Sequence, residues 1–152
     1  MPVDPFPATA EETTDVALVG CPNVGKSVLF NELADAYVDV SNYPGTTVDT
    51  TAARVDDHDV VDAPGVYGIS SFSEEERVAR EVVLAADVAV NVVAAPTLDR
   101  DLFLTLQLLD MGIPTVVALN MMDEAERDGQ TIDPAALEEH LGVPVVPTVA
   151  TE

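Results

Sequence analysis

The sequence predicts an α/β domain, with a mixed, mostly parallel sheet flanked by helices. Three observations carry that expectation. Short runs rich in β-branched residues alternate with helix-period segments along the whole chain, and alternation of this kind builds a wound sheet. Several of the strand runs, such as Val88, Val90, Val92 and Val93, carry almost no charge, as strands covered on both faces do. The third is the first strand–loop–helix unit, in which Gly20-Cys21-Pro22-Asn23-Val24-Gly25-Lys26-Ser27 fits G-x-x-x-x-G-K-[ST].

Taken in order, residues 1–14 are acidic and proline-bearing, without a basic start or an apolar core. They read as a loose lead rather than a signal peptide, and 15–152 as the domain. Asp15 to Gly20 is a buried strand. Ser27 to Ala34 is a helix with Leu29, Phe30 and Leu33 on its apolar side. Tyr37 to Thr47 is a loop holding Asn42, Pro44 and Gly45. Val48 to Val55 and His58 to Asp62 are strands, and the two-residue turn Asp56-Asp57 makes them an antiparallel hairpin. Ala63 to Ser73 is a Gly/Pro/Ser loop. Ser73 with Glu76 forms a capping-box pattern that opens a helix through Ala85. Asp87 to Ala94 is a strand, and Leu98 to Met111 a helix with Leu102, Leu106 and Leu109 on a core face, ended by Gly112. Ile113 to Asn120 is a strand. Asp133, Pro134 and Gly142 bracket the last helix, and Val143 to Val146 is the last strand. No helix follows, so one sheet edge is expected to lack its cover.

Composition excludes several functions. The 152 residues hold 28 acidic and 6 basic side chains, net −22, a surface that repels nucleic acid and anionic lipid. With 47% hydrophobic residues the chain is not of a disordered composition. Its near-absence of lysine resembles proteins of salt-loving archaea. No run of 18 apolar residues offers a membrane span, and the single cysteine, Cys21, excludes an internal disulfide. The chain reads as cytoplasmic. Glu74-Glu75-Glu76 and Glu138-Glu139 read as solvated helix faces rather than iron ligands, because no His or Cys stands at metal spacing.

The one lysine of the chain, Lys26, stands in the phosphate loop. Backbone N–H groups from Gly20 to Val28 and the helix dipole would cradle phosphates. Lys26 would reach the β- and γ-phosphates and the Ser27 hydroxyl would bind Mg²⁺. Asp62-Ala63-Pro64-Gly65 follows a strand, where an Asp holds Mg²⁺ through water and Gly65 offers its N–H to a γ-phosphate. Asn120-Met121-Met122-Asp123 also follows a strand. A carboxylate there accepts from guanine N1 and N2, a donor pair adenine lacks, and Asn120 would tie this loop to the phosphate loop. Thr46 and Thr47 fall where a GTPase switch carries its Mg²⁺-binding threonine.

In GCPNVGKS, SNYPGTTVDT, VVDAPGVYGIS, NVVAAPTLDRDLFLTLQLLDMGIPTVVALNMMDEAE and LGVPVVP the chain resembles the cytosolic G domain of the ferrous iron transport protein B family, over most of residues 16–150. The resemblance implies a P-loop NTPase fold of the Ras-like kind, with the final helix missing. It also implies GTP/GDP as ligand, Mg²⁺ on Ser27, Thr47 and Asp62, and K⁺ on Asn23 with carbonyls near Ser41 and Tyr43. Asn23, Lys26, Thr47 and Gly65 are then the catalytic set. Gly45, Thr46, Ala63, Pro64 and Met121 line the nucleotide, and Thr148, Val149 and Ala150 form the loop that reaches guanine O6. Val66 stands where Ras-like enzymes orient water with Gln, so hydrolysis is expected to be slow. As part of the full transporter the domain would lie on the cytoplasmic face of the membrane, with the membrane domain as partner. A non-hydrolysing nucleotide switch or remnant, and more weakly an Era-like ribosome-associated GTPase, stay open, as does self-association into a homo-oligomer.

Overall fold

The computed structural model describes residues 6, 14–34, 36–70 and 73–149, with the side chains of 36–40 left aside. Seven strands form one sheet: β1 (Thr14–Gly20), β2 (Ala36–Asn42), β3 (Asp49–Val55), β4 (His58–Asp62), β5 (Val88–Ala94), β6 (Thr115–Asn120) and β7 (Val145–Pro147). Their order is β2-β3-β4-β1-β5-β6-β7. β1 pairs in parallel with both β4 and β5, and the parallel run continues through β6 to β7. β2 and β3 are the antiparallel extension beyond β4. The chain leaves β1 at the point where strands are added to either side, the crevice in which wound α/β sheets bind ligands.

Among the described residues five helices connect the strands: α1 (Lys26–Leu33), α2 (Glu74–Ala85), α3 (Leu98–Asp110), α4 (Met122–Arg127) and α5 (Pro134–Leu141), with a 3₁₀ turn at Ala95–Thr97. α2 begins on its expected cap, Ser73 Oγ accepting the Glu76 N–H at 3.1 Å. The reciprocal half of the capping box is absent, because the Glu76 carboxylate reaches back to the Ser70 N–H and hydroxyl instead. α5 is capped by Asp133, carries Pro134 at its first position and ends on Gly142 at φ 74°.

The main core lies between the sheet and its helices, with Leu18, Val61, Val78, Val82, Leu104 and Leu108 fully buried. A smaller cluster around Val93, Val117, Leu119 and Val145 is closed by α4 and α5. Phe6, from the expected loose lead, packs in the main core; the rest of that lead up to residue 13 lies outside the described residues.

Four expectations are corrected. The stretch expected as a loop from Tyr37 is an edge strand to Asn42, because β3 offers a free antiparallel edge and the pairing tolerates a bulge between Tyr37 and Asp39. The loop shrinks to residues 43–48. α4 was not foreseen, being a six-residue helix without an N-cap side chain. On α3, Leu106 is exposed and Leu102 and Leu109 are half-buried, whereas Asp101, Leu104, Thr105 and Leu108 are buried. Two polar side chains set this phase. Asp101 accepts from the Ala94 N–H at 2.9 Å, and the Thr105 hydroxyl donates to Asn91. In α1, likewise, Leu29 and Phe30 are buried but Leu33 is exposed.

Candidate nucleotide site

The phosphate loop leaves β1 at Gly20 and enters α1 at Lys26. Two of its glycines are required by contact. A Cβ on Gly20 would stand 2.7 Å from the Val92 carbonyl, and one on Gly25, at φ 87°, would collide with the Asn120 amide. Asn23 is also left-handed, at φ 66°, and exposed. These conformations turn the loop over the N-terminus of α1, where unpaired N–H groups favour an anion.

Lys26 is buried, 8% exposed. Its ammonium donates to Asp62 Oδ1 and to the Ala63 carbonyl at 2.6 Å. Burial pushes the Asp62 carboxyl above its ordinary value, and the Lys26 charge opposes that rise. Ser27 is exposed at the mouth of the site. The second-switch segment is stitched to the loop: the Ala63 N–H donates to Leu18 at 2.9 Å and the Val66 N–H to Gly20 at 3.0 Å, while Gly65 packs on Pro22. Cys21, 2% exposed, fills space beneath the loop. Burial and the neighbouring Asp101 carboxylate push its thiol up to about 12, so it is a filler and not a nucleophile.

The base side is built at the end of β6. Asn120 is fully buried; its Nδ2 donates to the Val24 carbonyl at 3.0 Å, and its Oδ1 accepts from the Thr148 hydroxyl at 3.0 Å. One amide thus joins the phosphate loop, the end of β6 and the loop after β7. Met121, at φ 62°, turns the chain sharply into α4. Asp123 follows in the first turn, its Oδ2 held by Arg127 at 3.2 Å. Asp123 Oδ1 is buried and lacks a hydrogen-bond partner among the described residues. Phosphate loop and Asp123 face one cavity of about 740 Å³, whose wall includes Asn23, Lys26, Ser27, Gly65, Met121 and Arg127. Val149 is exposed beyond Thr148, and Ala150 lies outside the described residues.

The first-switch residues stand apart from that wall. Tyr43 is buried, its hydroxyl donating to Glu81 of α2 at 3.0 Å. Its carbonyl accepts both the Thr46 N–H at 3.0 Å and the Thr46 hydroxyl at 2.7 Å. Thr47 donates from its N–H at 2.9 Å and its hydroxyl at 3.0 Å, both to Glu74 Oε1. These bonds hold the Glu74 carboxyl below its ordinary range.

The oxygen donors Ser27 and Asp62 suit Mg²⁺, a hard cation that takes a few carboxylate or hydroxyl ligands beside phosphates. Asp62 is a carboxylate whose charge burial already penalises, so a second cation would relieve it. Of the residues in the K⁺ reading, the Tyr43 carbonyl accepts from Thr46, and Ser41 of β2 stands opposite Thr50 of β3. Sequence reasoning missed Arg127, whose i,i+4 spacing from Asp123 was the available signal. It also missed the work of the glutamates read as solvated. Glu74 and Glu76 hold preceding loops, and Glu138 accepts the Val145 N–H at 2.9 Å, because a Glu near a helix end reaches unpaired backbone N–H groups.

A mixed seven-stranded sheet with a phosphate loop at its switch point defines a Ras-like P-loop G domain. The family model for ferrous iron transport protein B matches residues 14–152, and the chain belongs to that family. It is 45% identical over 146 residues to the Fe(2+) transporter FeoB of Salmonella typhimurium, covering 90% of this chain and 19% of that protein. It is also 45% identical, over 141 residues, to a Porphyromonas gingivalis Fe(2+) transport protein A/Fe(2+) transporter FeoB fusion protein, covering 88% and 17%. The chain therefore spans less than a fifth of these curated relatives. Among solved structures, a mutant S. thermophilus NFeoB bound to mGDP superposes with a TM-score of 0.87 at 44% identity, over 91% of this chain and 55% of that one. The FeoB G-domain from Methanococcus jannaschii superposes with a TM-score of 0.76 at 40% identity, over 92% and 88%. Among the described residues no helix is long and apolar enough to cross a membrane.

Proposed function

We propose that this chain binds GTP and GDP and hydrolyses GTP slowly, as the cytoplasmic G domain of a ferrous iron transporter, with the transporter's membrane domain as its partner. The observation that carries the reading is Asp123 Oδ1. It is a buried acceptor without a donor among the described residues, and Asp123 lines the same cavity as the phosphate loop. A buried carboxylate oxygen left unpaired costs free energy, and guanine brings the donors that satisfy it. Asn120 fixes the distance between the base and phosphate ends. Lys26 moves its ammonium from Asp62 to the β- and γ-phosphates. Gly65 presents its N–H to the γ-phosphate, and Thr47 joins the set once its turn opens. Ser27, Asp62 and Thr47 would hold Mg²⁺, which would supply charge neutralisation.

Water attack on the γ-phosphate lacks a side-chain guide, because Val66 is apolar and buried. The intrinsic rate is therefore low. The family resemblance adds K⁺ stimulation through Asn23, which stands at the cavity wall; the turn at 43–48 must open before the cradle forms. Equilibrium binding of GDP, a non-hydrolysable GTP analogue and ADP, beside single-turnover hydrolysis in K⁺ and in Na⁺, tests each part. Tight guanine-selective binding with K⁺-stimulated release of phosphate supports the enzyme, and loss of that stimulation in Asn23→Ala supports the cation site. Equal rates in the two cations overturn the potassium part. The second reading, a switch that binds without turnover, is favoured by the buried Val66 and the sequestered Thr47; tight binding with no phosphate release would establish it.

A further inference from the structure

We infer that Glu74 is a positioning residue that sets the preference between guanosine di- and triphosphate, by holding Thr47 away from the site until a γ-phosphate and its cation compete for it. This rests on the reading of the cavity as a guanine-nucleotide site. Thr47 commits both of its donors to one oxygen of Glu74 and takes no part in the cavity wall. Glu74 is the first residue of α2, the helix that follows the Asp62–Gly65 segment, so one element restrains both switch regions.

The turn is built to open over a short span. Tyr43 and Val48 are buried, 2% and 7% exposed, and the Tyr43 N–H donates to the Val48 carbonyl at 2.7 Å. The Tyr43 hydroxyl fixes the same end to Glu81. Between these anchors Pro44, Gly45 and Thr47 are exposed, and Gly45 adopts φ 77° with nothing within 4 Å of where a Cβ would stand. Release of Thr47 therefore disturbs only the residues between the anchors and leaves the core intact. Both partners are at the surface, so the restraint is weak enough to yield to a ligand.

A diphosphate makes no demand on Thr47, so GDP binds with the restraint in place. A triphosphate must first break it. Removing the carboxylate should thus strengthen GTP binding and leave GDP binding unchanged. A net hydrogen-bond contribution corresponds to a gain of about threefold to tenfold.

The test uses the full chain with Mg²⁺ and two probes, GDP and a non-hydrolysable GTP analogue, measured by equilibrium binding for wild type, Glu74→Ala, Glu75→Ala, Thr47→Ala and Glu74→Ala/Thr47→Ala. The expected result is a threefold to tenfold gain for the GTP analogue alone in Glu74→Ala, no change in Glu75→Ala, and loss of the Glu74 effect when Thr47 is already Ala. Equal gains for both nucleotides, the same gain in Glu75→Ala, or a gain that persists without Thr47 would overturn the inference, because each is a general effect of removing negative charge. Wild type that binds neither nucleotide overturns the underlying reading and the inference with it. Wild type that binds both, with an unchanged ratio in Glu74→Ala, overturns the inference alone.

Discussion

Substituting Asp123 by Asn tests the base site most directly. The structure leaves Oδ1 buried without a donor among the described residues and ties Oδ2 to Arg127 at 3.2 Å. Guanine would add its N1–H and N2–H to this carboxylate. Asparagine keeps one acceptor and turns an amide NH₂ toward one of the two donors. Hydrogen bonds to a charged group contribute about 1.5–3 kcal/mol each, so losing one charged bond and opposing one donor with another should cost about 3–4 kcal/mol. That corresponds to a loss of roughly 200- to 900-fold in GDP affinity. Xanthine carries a carbonyl where guanine carries its amino group, which matches the new amide, so xanthosine diphosphate should gain while GDP loses. Equilibrium titration of both nucleotides into wild type and variant, with denaturation midpoints recorded beside them, separates recognition from folding. A variant as stable as wild type that binds GDP equally well would refute the assignment of Asp123. Equal weakening toward both diphosphates would refute the donor–acceptor reasoning.

Three further outcomes follow from the same geometry. Gly25→Ala places a methyl group at φ 87° against the Asn120 amide and should cost about 1–3 kcal/mol in chemical denaturation, with nucleotide affinity lost alongside. The Cys21 thiol, raised from 9.0 to about 12, stays protonated in the native state over a range in which the unfolded thiol ionises. Stability should therefore fall as pH rises above 9.0 toward about 12, with a shallower fall in Cys21→Ala, and alkylation of the native protein should be slow. The net charge of −22 should make the fold salt-dependent, since the screening length grows from ~3 Å at 1 M to ~30 Å at 0.01 M. Circular dichroism should show structure lost on dilution of salt and regained on its return; an unchanged spectrum would count against the salt-adapted reading.

The parts of this domain that could be read from the sequence are those whose cause is local. The phosphate loop, the β3–β4 hairpin and the caps of α2 and α5 are each set by a few neighbouring residues. What could not be read depends on partners far along the chain. β2 exists because β3 offers an edge. The phase of α3 is set by Asp101 and Thr105, whose partners lie on β5, so a hydropathy pattern that placed Leu102, Leu106 and Leu109 on the core face turned the helix the wrong way. α4 is held by the left-handed turn at Met121 and by the packing of Ala125, and neither leaves a mark in the pattern. Within the site, the tie between Asn120 and Val24 spans 96 positions. Asn120 and the loop it reaches were legible, but the receiving Val24 carbonyl and the Thr148 hydroxyl were not.

The two ends of the cavity stand in different states of readiness. At the base end Asp123 Oδ1 is buried and without a partner among the described residues, while Oδ2 is held by Arg127, so a base meets one open acceptor and shares the other oxygen with that guanidinium. At the phosphate end the groups assigned to a triphosphate are already held by carboxylates: Lys26 by Asp62 and Thr47 by Glu74. Each carboxylate takes the place of phosphate oxygens. A charged ammonium buried without a counter-ion would be costly, so Asp62 keeps Lys26 in position while the site awaits phosphate. Thr47, neutral and exposed, carries no such requirement, so its restraint by Glu74 follows from a different cause. The first contact secures the fold of the loop, and the second governs which nucleotide completes it. For that reason Asp62→Asn should damage stability and both nucleotides together, whereas Glu74→Ala should alter only their ratio.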